Sequence, residues 1–385
     1  MPAVLQKRRL KELAKLAQDV GMQNSGSKAL IADRLSAHFS RLLGRITAEL
    51  GEPTARKWIK TPETHPQEKR DWFEPSRLRF LPASIVSIDV GLRNLAWVQL
   101  SRQGDVLRWD VEDLLTLDPG SDHGGFDATA SDDVELSQCS KRKAANALCR
   151  TSKKKSPAVP YDSQSLAVAI DNLMYKILEK QSDTMPPIGA VVIERQHLRS
   201  TMIPGMVDGV VKSCVVEGML LAWLKHWERH HNSHSQPGHR EFVVDLVLPR
   251  AVGAWWGIGD SQQTGSAKIK SPRPGSDSAE DSDDIGEDNT ITGRHARAIY
   301  SSKKARSTKL VKEWIIGSHV QHDAGDGVEE HTDRLRVKCP ERLQAWYSAQ
   351  SKQDDLSDCL LQAVAWYEWQ ARAITQSLWC YQQAT

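Results

Sequence analysis

The sequence predicts an α/β fold built on a mixed β-sheet. Two apolar runs typical of buried strands, residues 85–90 and 188–193, each carry or immediately precede a single acid. Further strands are predicted at residues 95–100 and 242–248. Residues 91–94 contain Gly and Asn and are predicted to form the turn that joins the strand at 85–90 to the strand at 95–100. A short turn joins the strands at 85–90 and 95–100, whereas segments with helical periodicity lie between the later strands in the sequence. We therefore expect one sheet with both parallel and antiparallel neighbours.

The first 45 residues predict a compact helical unit. Gly21 is placed to end one helix, and Ser25 to Lys28 open a second. Free backbone N–H groups and the Lys28 cation at that helix start would form a phosphate site, with Arg34 nearby. A helical hairpin that contacts proteins is the alternative. The residues expected on the buried faces are Leu10, Leu13, Leu16, Ala17, Leu30, Ile31, Leu35 and Phe39.

The rest of the chain divides into a linker and a core domain. Residues 46–80 are rich in Pro, Lys, Glu and Thr, and the core is expected to occupy residues 81–385. A third strand is predicted to end at Asp110, and helices are predicted at 163–180, 209–229, 308–316 and 354–370. Polar, low-complexity composition predicts disordered insertions at about 120–156 and 260–293.

Composition narrows the classes of function. The formal charge is +2, but residues 277–288 contain seven acids and no base, so the remainder carries +9. Basic clusters such as residues 153–155 and 303–306 then indicate contact with a polyanion, although solvated loops are an equal alternative. Six cysteines without C-x-x-C spacing indicate reduced thiols, and no apolar run is long enough to span a bilayer. The sequence thus predicts a soluble intracellular protein.

Acids at three separate places suggest a metal-dependent nuclease. Asp89 and Glu194 end the two apolar runs, and Asp354, Asp355 and Asp358 open the last predicted helix. A carboxylate at the end of a buried strand needs a partner, and Mg²⁺ prefers a few such oxygen ligands. At about 100° per residue the three aspartates share the helix face opposite its apolar stripe, and either Asp354 or Asp355 could act with Asp358. Helix capping and the helix dipole are the alternative explanation for these three.

Three motifs together resemble the fungal mitochondrial Holliday-junction resolvases, which are RuvC relatives in the RNase H-like superfamily. The first spans residues 87–96 (Ser-Ile-Asp-Val-Gly-Leu-Arg-Asn-Leu-Ala), and the second is residues 193–196 (Ile-Glu-Arg-Gln). The third lies in residues 352–366 and contains Asp354-Asp355-Leu-x-Asp358. The N-terminal unit, with its Ser25-Gly26-x-Lys28 spacing, is similar to the SAP motif of DNA-binding proteins.

The resemblance implies an RNase H-like, RuvC-type sheet flanked by helices, and a homodimer that cuts four-way DNA junctions symmetrically with Mg²⁺, for which Mn²⁺ can substitute. It implies metal ligation and catalysis by Asp89, Glu194, Asp355 and Asp358, with Asp354 as a competing ligand. It also implies a mitochondrial location. The residues expected to contact DNA are Lys28, Arg34, Arg195, Gln196, Arg199, Lys303, Lys304 and Arg306.

Two other functions are compatible with the same residues. Another RNase H-like nuclease, acting for example on RNA–DNA hybrids, would use the same metal chemistry. A non-catalytic SAP-type DNA-binding protein would use the acids structurally. The glycine-containing helix at residues 205–224 is expected to form either a dimer contact or part of the core.

Overall fold

Five strands form one mixed sheet in the part of the chain that the structure, a computed structural model, describes: residues 2–55, 75–115, 162–180, 182–196, 207–234, 241–258, 288–317 and 335–384. The strands are β1 (Ser84–Asp89), β2 (Leu95–Ser101), β3 (Val106–Glu112), β4 (Ile188–Glu194) and β5 (Val243–Val247). Their order in the sheet is β3-β2-β1-β4-β5. β1 pairs antiparallel with β2 and parallel with β4; β2 and β3 are antiparallel, and β4 and β5 are parallel. This order, with these directions, is that of an RNase H-like sheet, so the predicted fold class is confirmed.

The helices cover both faces of the sheet. The helices are α1 (Pro2–Lys7), α2 (Leu10–Asp19), α3 (Lys28–Leu50), α4 (Pro75–Leu78), α5 (Ser163–Met174), α6 (Val207–His234), α7 (Pro249–Trp255), α8 (Asp288–Gly317), α9 (Glu341–Ala349) and α10 (Gln353–Gln382). A π-helical turn at Tyr175–Glu179 continues α5 directly.

Helix α10 lies at the centre of the larger of two apolar cores. One face of the sheet packs against α10, together with α7, α8, α9 and the N-terminal helices, while the other packs against α5 and α6. Two side-chain hydrogen bonds fix α10 to the sheet: Trp109 Nε1 donates to the Leu356 carbonyl (3.2 Å), and Gln362 Nε2 donates to the Val192 carbonyl (3.2 Å). The first turns of α10 are therefore held beside the carboxyl ends of β1 and β4.

The N-terminal helices share this core. Gly21 follows α2 with a φ of +71°, and a Cβ added there would lie 2.3 Å from Trp369 of α10. Leu13, Leu35 and Phe39 are fully buried in the larger cluster. Leu10 and Leu30, which the helical pattern placed on buried faces, are instead 48% and 43% exposed. The unit is thus packed directly onto the core domain.

Element boundaries differ from the predicted ones in several places. Helix α3 runs past residue 45 to Leu50, α10 runs past residue 370 to Gln382, and α8 begins at Asp288, inside the predicted second insertion. Helices α7 and α9 were not predicted. The predicted insertion at about 120–156, including the basic cluster at 153–155, lies outside the described residues.

Helix α6 fulfils one of the two expectations for its segment. It buries Val216, Leu220 and Leu224 against the sheet, as core packing requires. Space beside Gly209 and Gly218 is open, so the outward face of the helix carries small residues. The dimer contact expected from the resemblance stays a prediction.

Candidate active site

The parallel pairing of β1 and β4 places Asp89 and Glu194 side by side. Ile88 pairs with Ile193, and each acid is the next and last residue of its strand. Because side chains alternate along a strand, both carboxylates point to the sheet face opposite Ile88 and Ile193, which is the face covered by α10. Both side chains are partly buried. Two acids more than a hundred residues apart in sequence thus become neighbours.

The first turns of α10 add further carboxylates to this pair. Asp358 and Asp355 are near enough for their charges to raise the pKa of Glu194, and Asp355 also raises the pKa of Asp89. Asp354 differs, since it lines an outer groove and its Oδ2 accepts a very short hydrogen bond from Lys304 Nζ. This arrangement favours Asp355 over Asp354 as the partner of Asp358.

Burial, and after it the repulsion between neighbouring carboxylates, raises the pKa values of the acids in this cluster. Removal from water, followed by the charge of Glu194, raises the pKa of Asp89 well above its usual 3.8. The interaction between the two carboxyls raises the pKa of Asp89 further, while it opposes the rise that burial causes in the pKa of Glu194. Removal from water and the charge of Asp89 raise the pKa of Asp358 to about 7. A group of buried carboxylates that repel one another in this way is stabilised by a bound cation.

Helix α8 supplies the positive charges that face the cluster. Lys304 Nζ bridges Asp354 and Asp355, at 3.2 Å from Asp355 Oδ1. Lys303 and a hydrogen bond from Ser307 both lower the pKa of Asp358, against the larger effect of its burial. Sequence reasoning placed Lys303 and Lys304 on a DNA surface. It missed the ion pairs of Lys304 and the effect of the Lys303 charge on the acids, because about fifty residues separate the two segments.

The donor set fits a hard divalent cation. Asp89, Glu194, Asp355 and Asp358 supply only carboxylate oxygens, which Mg²⁺ and Mn²⁺ prefer. Within the described ranges, however, no three or more Asp, Glu, His or Cys side chains lie close enough together to coordinate one metal ion. The carboxylates act on one another through their charges, but they do not stand at the spacing of a closed metal site.

The chain leaves β4 through two fixed backbone contacts. Arg195 N donates to the Val247 carbonyl (2.8 Å), and Gln196 N donates to Glu217 Oε2 on α6 (2.7 Å). The Arg195 side chain is exposed and that of Gln196 is partly buried, while Arg199 lies outside the described residues. Glu217 was not found from the sequence, since no motif links it to the second acid. These contacts hold the backbone immediately after Glu194.

The start of α3, where the sequence predicts a phosphate site, has a slightly different geometry from the expected one. Helix α3 starts at Lys28, and the cap is Ser27, whose Oγ accepts from Leu30 N (3.3 Å). Lys28 is exposed at this helix start. Arg34 is partly buried and donates from Nη1 to the Ser25 carbonyl (2.9 Å), so it braces the loop that precedes the helix.

A scan against protein families matches residues 85–375 to the family described as "Mitochondrial resolvase Ydc2 / RNA splicing MRS1". Among solved structures, the crystal structure of the yeast mitochondrial Holliday junction resolvase Ydc2 matches with a TM-score of 0.46 and 13% identity, over 97% of this chain and 100% of that chain. The comparison with curated proteins finds no significant match. The family match includes both strand acids and the acids of α10. The chain therefore belongs to the mitochondrial resolvase Ydc2 / RNA splicing MRS1 family.

Proposed function

We propose that this chain is a nuclease that resolves four-way DNA junctions in mitochondria by paired, symmetric, metal-dependent hydrolysis, acting as a homodimer. The observation that carries the proposal is the convergence of Asp89, Glu194 and the acids of α10 at one edge of the sheet. Family membership supports it, because the family description names a mitochondrial resolvase. Within the described residues no helix is long and apolar enough to cross a membrane.

Asp89, Glu194, Asp355 and Asp358 are the proposed ligands of Mg²⁺. Two such ions would supply an activated water and would stabilise the oxygen that leaves the scissile phosphate. The residues of this chain do the positioning: β1 and β4 fix the first two carboxylates, and the Trp109 and Gln362 hydrogen bonds fix α10 over them. Lys304 holds Asp355 in place and presents a cation beside the bound phosphate.

Cleavage of defined substrates tests the proposal. The purified protein is incubated with a four-way DNA junction, a linear duplex, an RNA–DNA hybrid and a structured RNA, with Mg²⁺ or with EDTA. We expect paired symmetric cuts in the junction alone, only with Mg²⁺. Hybrid cleavage would favour another RNase H-like activity. The RNA is included because the family description also names an RNA-splicing protein, and binding of RNA without cleavage of any DNA would contradict the proposal.

The variant Asp89→Asn tests the site itself. It should lose cleavage by at least about a thousandfold, since a ligand of the proposed metal centre is removed, while junction binding is retained because one phosphate-repelling charge is lost. Asp105→Asn is the matched control, since that carboxylate is exposed and pairs with Lys338 (3.5 Å). Normal cutting by Asp89→Asn would show that the site is assigned wrongly.

A further inference from the structure

An open groove of about 890 Å³ runs between α8 and the start of α10. One wall carries Lys304, Thr308 and Lys312 of α8, and the other carries Ser351 and Asp354. Residues Lys304 and Asp354 also belong to the ion pair that contacts Asp355. The inner end of the groove is therefore continuous with the carboxylate cluster.

The charges along the groove suit a polyanion. Lys309 and Lys312 line its outer part. Glu313 also lines it and forms a long ion pair with Lys309 (3.8 Å), in which the lysine side chain is 79% exposed. An exposed pair of this kind contributes little to stability, so Lys309 can exchange it for a phosphate. At the inner end Lys304 offsets Asp354, which leaves the lining positive on balance.

The spacing of the lysines matches a nucleic-acid strand. Lys304 and Lys312 are eight residues apart, which is about 12 Å along a helix. Along the axis of a duplex each strand advances about 3.4 Å per phosphate, so a duplex whose axis lies parallel to α8 presents about three phosphates of one strand over this length. Ile316, which is 53% exposed, supplies an apolar surface at the outer end that a sugar or base can contact.

We propose that this groove holds the backbone of the cut DNA strand where it continues away from the carboxylate cluster. The inference rests on the proposed nuclease function and adds the path of the substrate strand. Of the α8 residues predicted to contact DNA it keeps Lys304, and it adds Lys309 and Lys312. It leaves out Lys303 and Arg306, which do not line the groove.

Junction binding in EDTA at increasing salt tests the groove. The double variant Lys309→Ala/Lys312→Ala should weaken binding, and the slope of log affinity against log salt should become less steep by about two. Lys338→Ala is the matched control, an exposed lysine in a surface ion pair with Asp105, and it should leave the slope unchanged.

A second measurement uses the wild-type protein and needs no variant. Neutral methylphosphonate links are placed one at a time along the cut strand. We expect the affinity to fall at about three consecutive links on one side of the cut, and the double variant to lose that sensitivity. A wild-type protein that cuts junctions but shows no such run, or a double variant with the wild-type slope, would overturn the groove. Failure of the wild type to bind or cut any junction would overturn the proposed function as well.

Discussion

Replacing Asp358 by Asn should stabilise the metal-free protein at neutral and alkaline pH. The pKa of Asp358 is raised from 3.8 to about 7, first by burial and then by the charge of Asp89. An unfolded chain ionises this carboxyl near pH 4, whereas the folded protein keeps the proton until about pH 7. Folding therefore takes up a proton between these values, and the free energy of unfolding falls as the pH rises through that window.

The size of the effect follows from the pKa shift. A rise from 3.8 to about 7 corresponds to about 4 kcal/mol, which is fully lost above pH 7 and fully recovered below pH 4. An amide carries no charge at any of these pH values. The variant should therefore be about 4 kcal/mol more stable than the wild type at pH 8 in EDTA, and the difference should shrink to about 1 kcal/mol at pH 4.5 and to near zero below about pH 3.5.

Urea unfolding followed by tryptophan fluorescence measures this difference, since the chain has thirteen tryptophans. Asp354→Asn is the control with the opposite sign: burial raises the pKa of Asp354, but the hydrogen bond and charge of Lys304 outweigh it and lower the pKa below 3.8. That variant should be less stable than the wild type at pH 8. Added Mg²⁺ should stabilise the wild type and have little effect on Asp358→Asn.

Two outcomes would refute this reasoning. One is an Asp358→Asn variant that is no more stable than the wild type at pH 8 without metal. The other is a stability difference that stays constant between pH 5 and pH 8, because the predicted penalty arises only as the carboxyl ionises.

The remaining predictions concern packing and a buried ion pair. Gly21→Ala should lower the free energy of unfolding by about 2–3 kcal/mol, since the new Cβ meets Trp369 and the backbone is left-handed. Gly51→Ala, with a φ of +72° and open space around the new Cβ, should lower it by only about 1 kcal/mol. Thermal unfolding compares the two variants, and equal losses of stability would argue against the contact with Trp369. Lys176→Met leaves Asp110 and Glu112 without their shared cation and should cost about 3–5 kcal/mol at pH 8. Because burial raises the pKa of Glu112, the loss should be smaller at pH 5, and a loss that does not vary with pH in urea titrations would count against the ion pair.

The strands could be predicted because their signal is local. An apolar run that ends on one acid predicted both β1 and β4, and the observed bounds lie within one residue of the predicted ones. Gly91 opens the turn that the sequence predicts between β1 and β2. A Cβ on Gly91 would lie 2.6 Å from the Asn94 carbonyl oxygen, so the turn itself requires the glycine.

Helix α10 was predicted too short because it is buried on several sides. The length of a helix with one apolar stripe can be predicted from its hydrophobic periodicity. Helix α10 is different, because α2, α3, α7 and α8 pack around it in addition to the sheet. Its polar residues are satisfied inside the core: Glu368 is 2% exposed and accepts a hydrogen bond from Trp255 Nε1 (2.6 Å). Such positions look like a solvent face in the sequence. The Lys304 contact was missed for a related reason, since it depends on how α8 packs against α10.

The packing of α10 also changes how the N-terminal unit is expected to act. The same helix carries Asp355 in its first turn and Trp369, the neighbour of Gly21, fourteen residues later. At about 1.5 Å per residue, the end of α10 that carries the clustered acids and the part that contacts the N-terminal unit lie about 21 Å apart along one helix. Because the two ends belong to one packed core, DNA held at Lys28 would be presented to the carboxylates at a set distance and angle. We therefore expect the unit to orient the junction, and not only to keep the protein on DNA.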